Sequence, residues 1–191
     1  MNDTIKEHLL QSISTKQKVI ENIIPQIEKS GNLIRDAILH GNKILVCGNG
    51  GSAADSQHLA AEFTCRYDGD RRALPAIALC CDTSHLTAAG NDYGFDQVFS
   101  RGVSALGNPG DVLVAISTSG NSPNVILAIE EAKKKQMSVI GLLGKDGGKI
   151  ISMGLDCAVV VPSKITAHIQ ESHITIIHIW CKLVDLAVKG I

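Results

Sequence analysis

Lys43-Ile44-Leu45-Val46-Cys47-Gly48-Asn49-Gly50-Gly51-Ser52 is the stretch on which the fold turns. Its first five residues form a short apolar run, the pattern of a buried strand. The glycines close that strand in a tight turn. The Ala-rich segment that follows, Ala53-Ala54-Asp55-Ser56-Gln57-His58-Leu59-Ala60-Ala61-Glu62, has helical character, with Ser52 near its start. Such a strand–loop–helix unit aims several backbone N–H groups and the positive end of the helix dipole at one small volume. A phosphate or a polyhydroxylated ligand suits that volume. Four residues apart, His58 and Glu62 share one helical face and read as an acid/base or metal pair.

The same alternation runs outward along the chain. Strand patterns occupy Lys43–Cys47, Leu74–Cys80, Asp111–Ser117, Ser138–Leu143 and Cys157–Val161. Helical patterns lie between or after them, at Ser52–Arg66, Thr83–Ala89, Asp96–Leu106, Ser122–Lys135 and Thr166–Val188. Near-continuous apolar strands separated by helices predict an α/β fold: a three-layer α/β/α sandwich around a five-stranded parallel sheet. Thr4–His40 carries apolar residues at helical spacing, and Pro25 predicts a bend or break within it. The expectation is a single domain over residues 1–191, with a helical extension at 1–40 and an α/β core at 41–191. That extension has more apolar positions than an exposed arm needs, which points to burial against another subunit.

A second unit repeats the logic of the first. Val112-Leu113-Val114-Ala115-Ile116 leads into Ser117-Thr118-Ser119-Gly120-Asn121-Ser122-Pro123-Asn124 and then a helix, with Ser122 suited to the N-cap and Pro123 to the first turn. A lone Ser/Thr cluster is commonly an ordinary loop. This one follows a buried strand, where ligands gather in open parallel sheets. No Gly-Lys-Ser/Thr follows the glycines and no GxGxxG spacing is present, so a monophosphate fits better than a nucleotide.

Composition narrows the classes. A 45% hydrophobic fraction with 3% aromatics indicates an aliphatic core, and a net charge of −1 offers no nucleic-acid footprint. No continuous apolar stretch marks residues 1–20 as a signal or a membrane span. The six cysteines lack CxxC spacing and several fall in apolar runs, which reads as a reduced, cytoplasmic protein. His85 and His173 read as structural, His8 and His40 as exposed, and Asp68-Gly69-Asp70-Arg71-Arg72 as a solvated charge run, with Arg66 free to reach a ligand or a subunit interface.

Gly48-Asn49-Gly50-Gly51-Ser52 with His58 and Glu62, then Gly90-Asn91-Asp92, Ser117–Ser122, and Gln170-Glu171 with His178, resemble the sugar-isomerase (SIS) family and, within it, the phosphoheptose isomerases. The resemblance spans nearly the whole chain in the family's order. It implies a flavodoxin-like sheet and a cytoplasmic homotetramer with one zinc ion per subunit. It also implies isomerisation of sedoheptulose 7-phosphate on the way to heptose-containing lipopolysaccharide or related glycans. Carried over, the phosphate falls to Ser117, Thr118, Ser119 and Ser122. The sugar falls to Asn49, Gly50, Gly51, Ser52, Asn91, Asp92, Glu62 and Gln170. Zinc falls to His58, Glu62, Gln170 and His178, with Glu62 and His178 as the catalytic pair. Gln170 and His178 lie about 80° apart on their helix. Glu171 is closer in angle to His178 and stands as an alternative. His168 occupies a position where many members carry arginine. Non-catalytic relatives that bind the replication initiator DnaA are the alternative reading, although their pattern lacks counterparts of Glu62 and His178. A sugar-phosphate-sensing regulator would need a DNA-binding domain that this sequence does not suggest.

Overall fold

The computed structural model describes residues 2–189. Five parallel strands run β1 (Ile44–Cys47), β2 (Ala76–Ala78), β3 (Val112–Ser117), β4 (Ser138–Gly144) and β5 (Cys157–Val161), in the spatial order β2-β1-β3-β4-β5. Seven α-helices accompany them: α1 (Asn2–Asn22), α2 (Ile24–Leu39), α3 (Gly51–Thr64), α4 (Thr83–Tyr93), α5 (Val98–Leu106), α6 (Pro123–Lys134) and α7 (Thr166–Val188). The α/β/α sandwich follows from the two-residue period of the strands. Ile44, Val46, Val112 and Val114 face a cluster built by Ile34 and Ile38 of α2, Leu59 and Phe63 of α3, and Ile176 and Trp180 of α7. Leu45, Cys47, Leu113 and Ala115 face Phe99 and Val103 of α5 and Val125 and Ile129 of α6 on the other side.

Most expected boundaries hold within a few residues. The break at Pro25 falls as read, with Ile23 between α1 and α2 and the proline in the first turn of α2. Helix α4 runs on to Tyr93, so Asn91 and Asp92 lie on its last turn. Phe95–Gln97 is a 3₁₀ turn preceding α5. The first 40 residues divide in two. Helix α2 is part of the core, where Trp180 Nε1 donates to Ile27 O at 3.2 Å and Ser30 Oγ at 2.9 Å. Helix α1 packs along α7 and buries only Thr15. No helix among the described residues is long and apolar enough to cross a membrane.

His85 and His173 are structural, as read. His85 Nε2 meets Val98 O at 2.9 Å. His173 is fully buried on α7, its Nε2 donating to Leu143 O at 2.9 Å and its Nδ1 without a partner. Burial pushes the His173 imidazole down to about 4. The folded state therefore holds it neutral while the unfolded chain binds a proton below the ordinary histidine value. Its contribution to stability is present above pH ~6.5 and is lost progressively as pH falls toward 4. Urea unfolding of wild type and His173→Gln should give a gap in stability that narrows as pH drops through this window, by roughly 3 kcal/mol in all.

Candidate functional site

In a sheet of order 2-1-3-4-5, chain connections leave β1 and β3 toward opposite faces, opening a crevice beyond their carboxyl ends. Both glycine- and hydroxyl-rich loops of the sequence lie at that crevice. They are tied across it by a reciprocal amide pair: Asn49 Nδ2 donates to Asn124 Oδ1 at 2.8 Å, and Asn124 Nδ2 donates to Asn49 Oδ1 at 2.9 Å. Asn124 is almost fully buried, and sequence reasoning missed it. Its only sequence signal is its place just inside α6.

The loop after β3 is shaped to leave hydroxyls free. Ser122 sits at the N-cap position of α6, yet its side chain makes no capping bond. Its Oγ instead lies 3.0 Å from Ser117 Oγ. Ser117 Oγ also accepts from Gly120 N at 3.1 Å, and Ser119 Oγ accepts from Asn121 N at 3.2 Å. Gly120 has φ +64° and a Cβ there would fall 1.9 Å from Gly147 O, so no other residue fits. Gly120 O in turn accepts from Ile150 N, and Asn121 Oδ1 accepts from Lys149 N, which fixes the loop from behind.

At the β1 loop, Gly50 has φ +56° and Asn49 is half-buried. Ser52 is buried under the turn. A Cβ at Gly51 would fall 2.3 Å from Gln170 Nε2, so the glycine admits the Gln170 amide from α7 to the start of α3. Asn91 and Asp92 are exposed on α4 and hydrogen-bond to each other at 2.8 Å; among the described residues no hydrogen bond links them to the two loops.

Further along α3, His58 Nε2 lies 3.0 Å from His178 Nε2 of α7 and 3.3 Å from Glu62 Oε1. His58 thus stands between a second imidazole and a carboxylate at a half-exposed spot. Nitrogen and oxygen donors ~3.3 Å apart suit a tetrahedral zinc ion with bonds of ~2.0–2.2 Å. Of the expected ligands, His58 lies within reach of both Glu62 and His178, whereas Gln170 sits over Gly51, so within one chain the four are not gathered at one point. Glu171, the alternative to Gln170, points away to α1. Tyr67 lines the same spot, its ring centroid 5.6 Å from that of His178, and a cavity of about 590 Å³ opens beside it between Tyr67, Thr175, His178 and Lys182. Asp55, one turn before His58 on α3, also escapes a reading by spacing alone. One of its carboxyl oxygens is buried without a partner, and burial lifts its pKa to about 6, opposed by the nearby His58.

The charge run 68–72 is not wholly solvated, a correction to the sequence reading. Arg71 is buried and bonds Asp185 Oδ1 of α7 at 2.6 Å. Its remaining donors reach Glu62 O at 2.7 Å and Phe63 O at 3.0 Å, carbonyls of the last turn of α3 that lack a partner within the helix. The guanidinium therefore ties the backbone under Glu62 to the helix that carries His178. Periodicity could not show this, because the pairing joins residues 114 positions apart.

A sequence model of the family described as "SIS domain" matches residues 8–144. A phosphoheptose isomerase from Geobacter sp. (strain M21) is 54% identical, with both chains covered in full. One from Campylobacter concisus (strain 13826) is 52% identical over 97% of this chain and 100% of its own. The solved structure of phosphoheptose isomerase GmhA from Neisseria gonorrhoeae superposes with a TM-score of 0.92 at 48% identity, over 97% of this chain and 98% of that one. The chain belongs to the SIS domain family and, within it, to the phosphoheptose isomerases. The DnaA-binding alternative finds no support in these relatives.

Asp185→Asn should cost about 3–5 kcal/mol in urea unfolding, because it leaves Arg71 as an unpaired buried charge. Asp185→Leu with Arg71→Met should cost distinctly less, as replacement of both partners removes the stranded charge.

Proposed function

We propose that this protein isomerises sedoheptulose 7-phosphate to D-glycero-D-manno-heptose 7-phosphate, opening the supply of heptose precursors for lipopolysaccharide or related glycans. The observation that carries this reading is that Glu62 and His178 each lie within hydrogen-bond reach of His58, on the two helices that flank the β1 loop. A ketose-to-aldose conversion moves a proton between C1 and C2 through an enediol. A carboxylate suits the carbon proton and an imidazole suits the oxygens, so Glu62 takes the first role and His178 the second. Ser117, Thr118, Ser119 and Ser122 hold the phosphate at the head of α6, and Asn49, Gly50, Gly51, Asn91, Asp92 and Gln170 hold the hydroxylated chain. His58, Glu62 and His178 would hold one zinc ion, which when bound supplies a positive charge against the oxygens of the reacting carbons, while Gln170, set against Gly51 at the other end of α3, would join it only from a neighbouring chain. The cytoplasm is the place of action that the reduced cysteines favour.

We also propose a homotetramer with shared sites. Glu62 lies ~16 Å along α3 from Gly51, whereas an extended seven-carbon sugar phosphate spans only ~9 Å from C2 to phosphorus. That separation favours a substrate held by the phosphate loop of one chain and by Glu62 and His178 of another. The single chain also leaves Ile5, Leu9, Ile13 and Ile20 of α1 more than half exposed, together with Leu186 of α7.

Glu62→Gln and His178→Gln should each lower kcat by at least ~10²–10⁴-fold in a fold unchanged by circular dichroism. Ser119→Ala should act mainly on KM, by roughly 1–3 kcal/mol. NMR of the aldose formed from sedoheptulose 7-phosphate reads both, and near-normal turnover in either acid/base variant removes that residue from the reaction. Light scattering of the wild type should give a tetramer. Leu9→Lys with Ile13→Lys should give smaller species with lost activity, and an active monomer would exclude shared sites.

A further inference from the structure

The second cluster of titratable side chains lies outside this site, where α1 crosses α7. Glu171 of α7 faces three groups at once. Its Oε1 is 3.4 Å from His8 Nε2, and its Oε2 is 3.3 Å from His168 Nδ1 and accepts from Ser12 Oγ. Lys16 Nζ donates to Ser12 Oγ from behind at 3.2 Å, which keeps the serine proton on the carboxylate. The two imidazole centroids are 4.5 Å apart. The donor atoms of His8, His168 and Glu171 all lie within 4.8 Å of one another, and among the described residues this is the tightest His/Glu grouping of three.

The hydrogen-bond pattern around His168 points to a cation. Its Nε2 faces Gln11 Oε1 at 3.5 Å and its Nδ1 faces Glu171 Oε2 at 3.3 Å, so acceptors stand at both ring nitrogens. A neutral imidazole carries one hydrogen and can serve only one of them. A positive species reconciles the two. His8 directs a second ring nitrogen at the same carboxylate, so the geometry offers two imidazoles and one carboxylate to a single centre. His8 Nε2 is 3.4 Å from Oε1 and His168 Nδ1 3.3 Å from Oε2, so each imidazole stands from its own oxygen of the carboxylate at the ~3.3–3.5 Å that separates neighbouring ligands of a tetrahedral ion with bonds of ~2.0–2.2 Å. The Gln11 contact is the outer bond that ligating histidines characteristically make. His8 and Glu171 are partly exposed, which gives an ion its way in and leaves the fourth position to water.

We infer that His8, His168 and Glu171 form a second divalent-metal site of zinc type, separate from the His58–Glu62–His178 cluster, that fastens α1 to α7. The ion is structural. It sits where α1, otherwise attached by few buried residues, meets the helix bearing Gln170 and His178. The inference does not depend on the isomerase reading.

Chelator-stripped full-length protein dialysed against zinc, with bound metal measured by plasma mass spectrometry, tests it. In a His58→Ala, His178→Ala background one zinc per chain should remain, and adding His8→Gln or His168→Gln should remove it. In the otherwise wild-type chain, His8→Gln should lower zinc content by one ion per chain while isomerase activity stays, and its melting temperature in chelator should match that of the wild type. Zinc should raise the melting temperature of the wild type more than that of His8→Gln. A metal-free double-alanine background, or zinc content indifferent to His8→Gln in either chain, overturns the second site. If the double-alanine chain does not fold, the comparison in the otherwise wild-type chain decides alone.

Discussion

The reversal of strand order between β1 and β3 is the constraint on which the rest depends. A parallel sheet whose connections depart in opposite directions must leave a gap at the carboxyl ends of its central strands. Neither loop bordering that gap can be filled by the other, so both end in glycine and polar residues. The Asn49–Asn124 amide pair holds the two edges at a fixed distance with four polar atoms mutually satisfied. Buried amides without such partners would carry a desolvation penalty, so this pair both closes the bottom of the crevice and specifies its width.

From that gap, two helices carry the proposed chemistry outward. Helix α3 starts at the crevice and displays His58 and Glu62 on successive turns. Helix α7 crosses it, bringing Gln170 against Gly51 and His178 against His58. The crossing is secured at its two ends by different means. Near Gly51 it is steric, since any side chain there would exclude Gln170. Near Glu62 it is electrostatic, through Arg71 between Asp185 and the carbonyls that end α3. Burial makes this ion pair costly to break and of modest net value to form, which fits a role in fixing geometry.

What can be read from the sequence is whatever repeats at short range. The period-two strands, the helical faces and the two loops with their hydroxyls are local patterns, and Ile44–Cys47 with Gly48–Ser52 is enough to orient the rest. His58 with Glu62 is legible as a pair because α3 puts them on one face. Arg71 and Asp55 are not, since their meaning comes from burial and from long-range partners that no spacing encodes. His8 reads as bland for the same reason: only the packing of α1 on α7 brings it to Glu171 and His168.

The first 40 residues show how the distinction between core and interface arises physically. Helices α1 and α2 are both rich in isoleucine and leucine, and by spacing alone they form one extension. Helix α2 places Ile27, Ile34 and Ile38 in contact with the sheet, and Trp180 satisfies its indole N–H on the α2 backbone. It belongs to the domain. Helix α1 turns comparable side chains outward, with Ile13 63% exposed. At ~25 cal/mol per Å², leaving a row of such residues in water forgoes several kcal/mol, which is the physical ground for the proposed assembly. Under the proposed tetramer, a segment whose apolar face is unused within its own fold, packed on the helix that bears His178, would couple assembly of the protein to the shape of the proposed site.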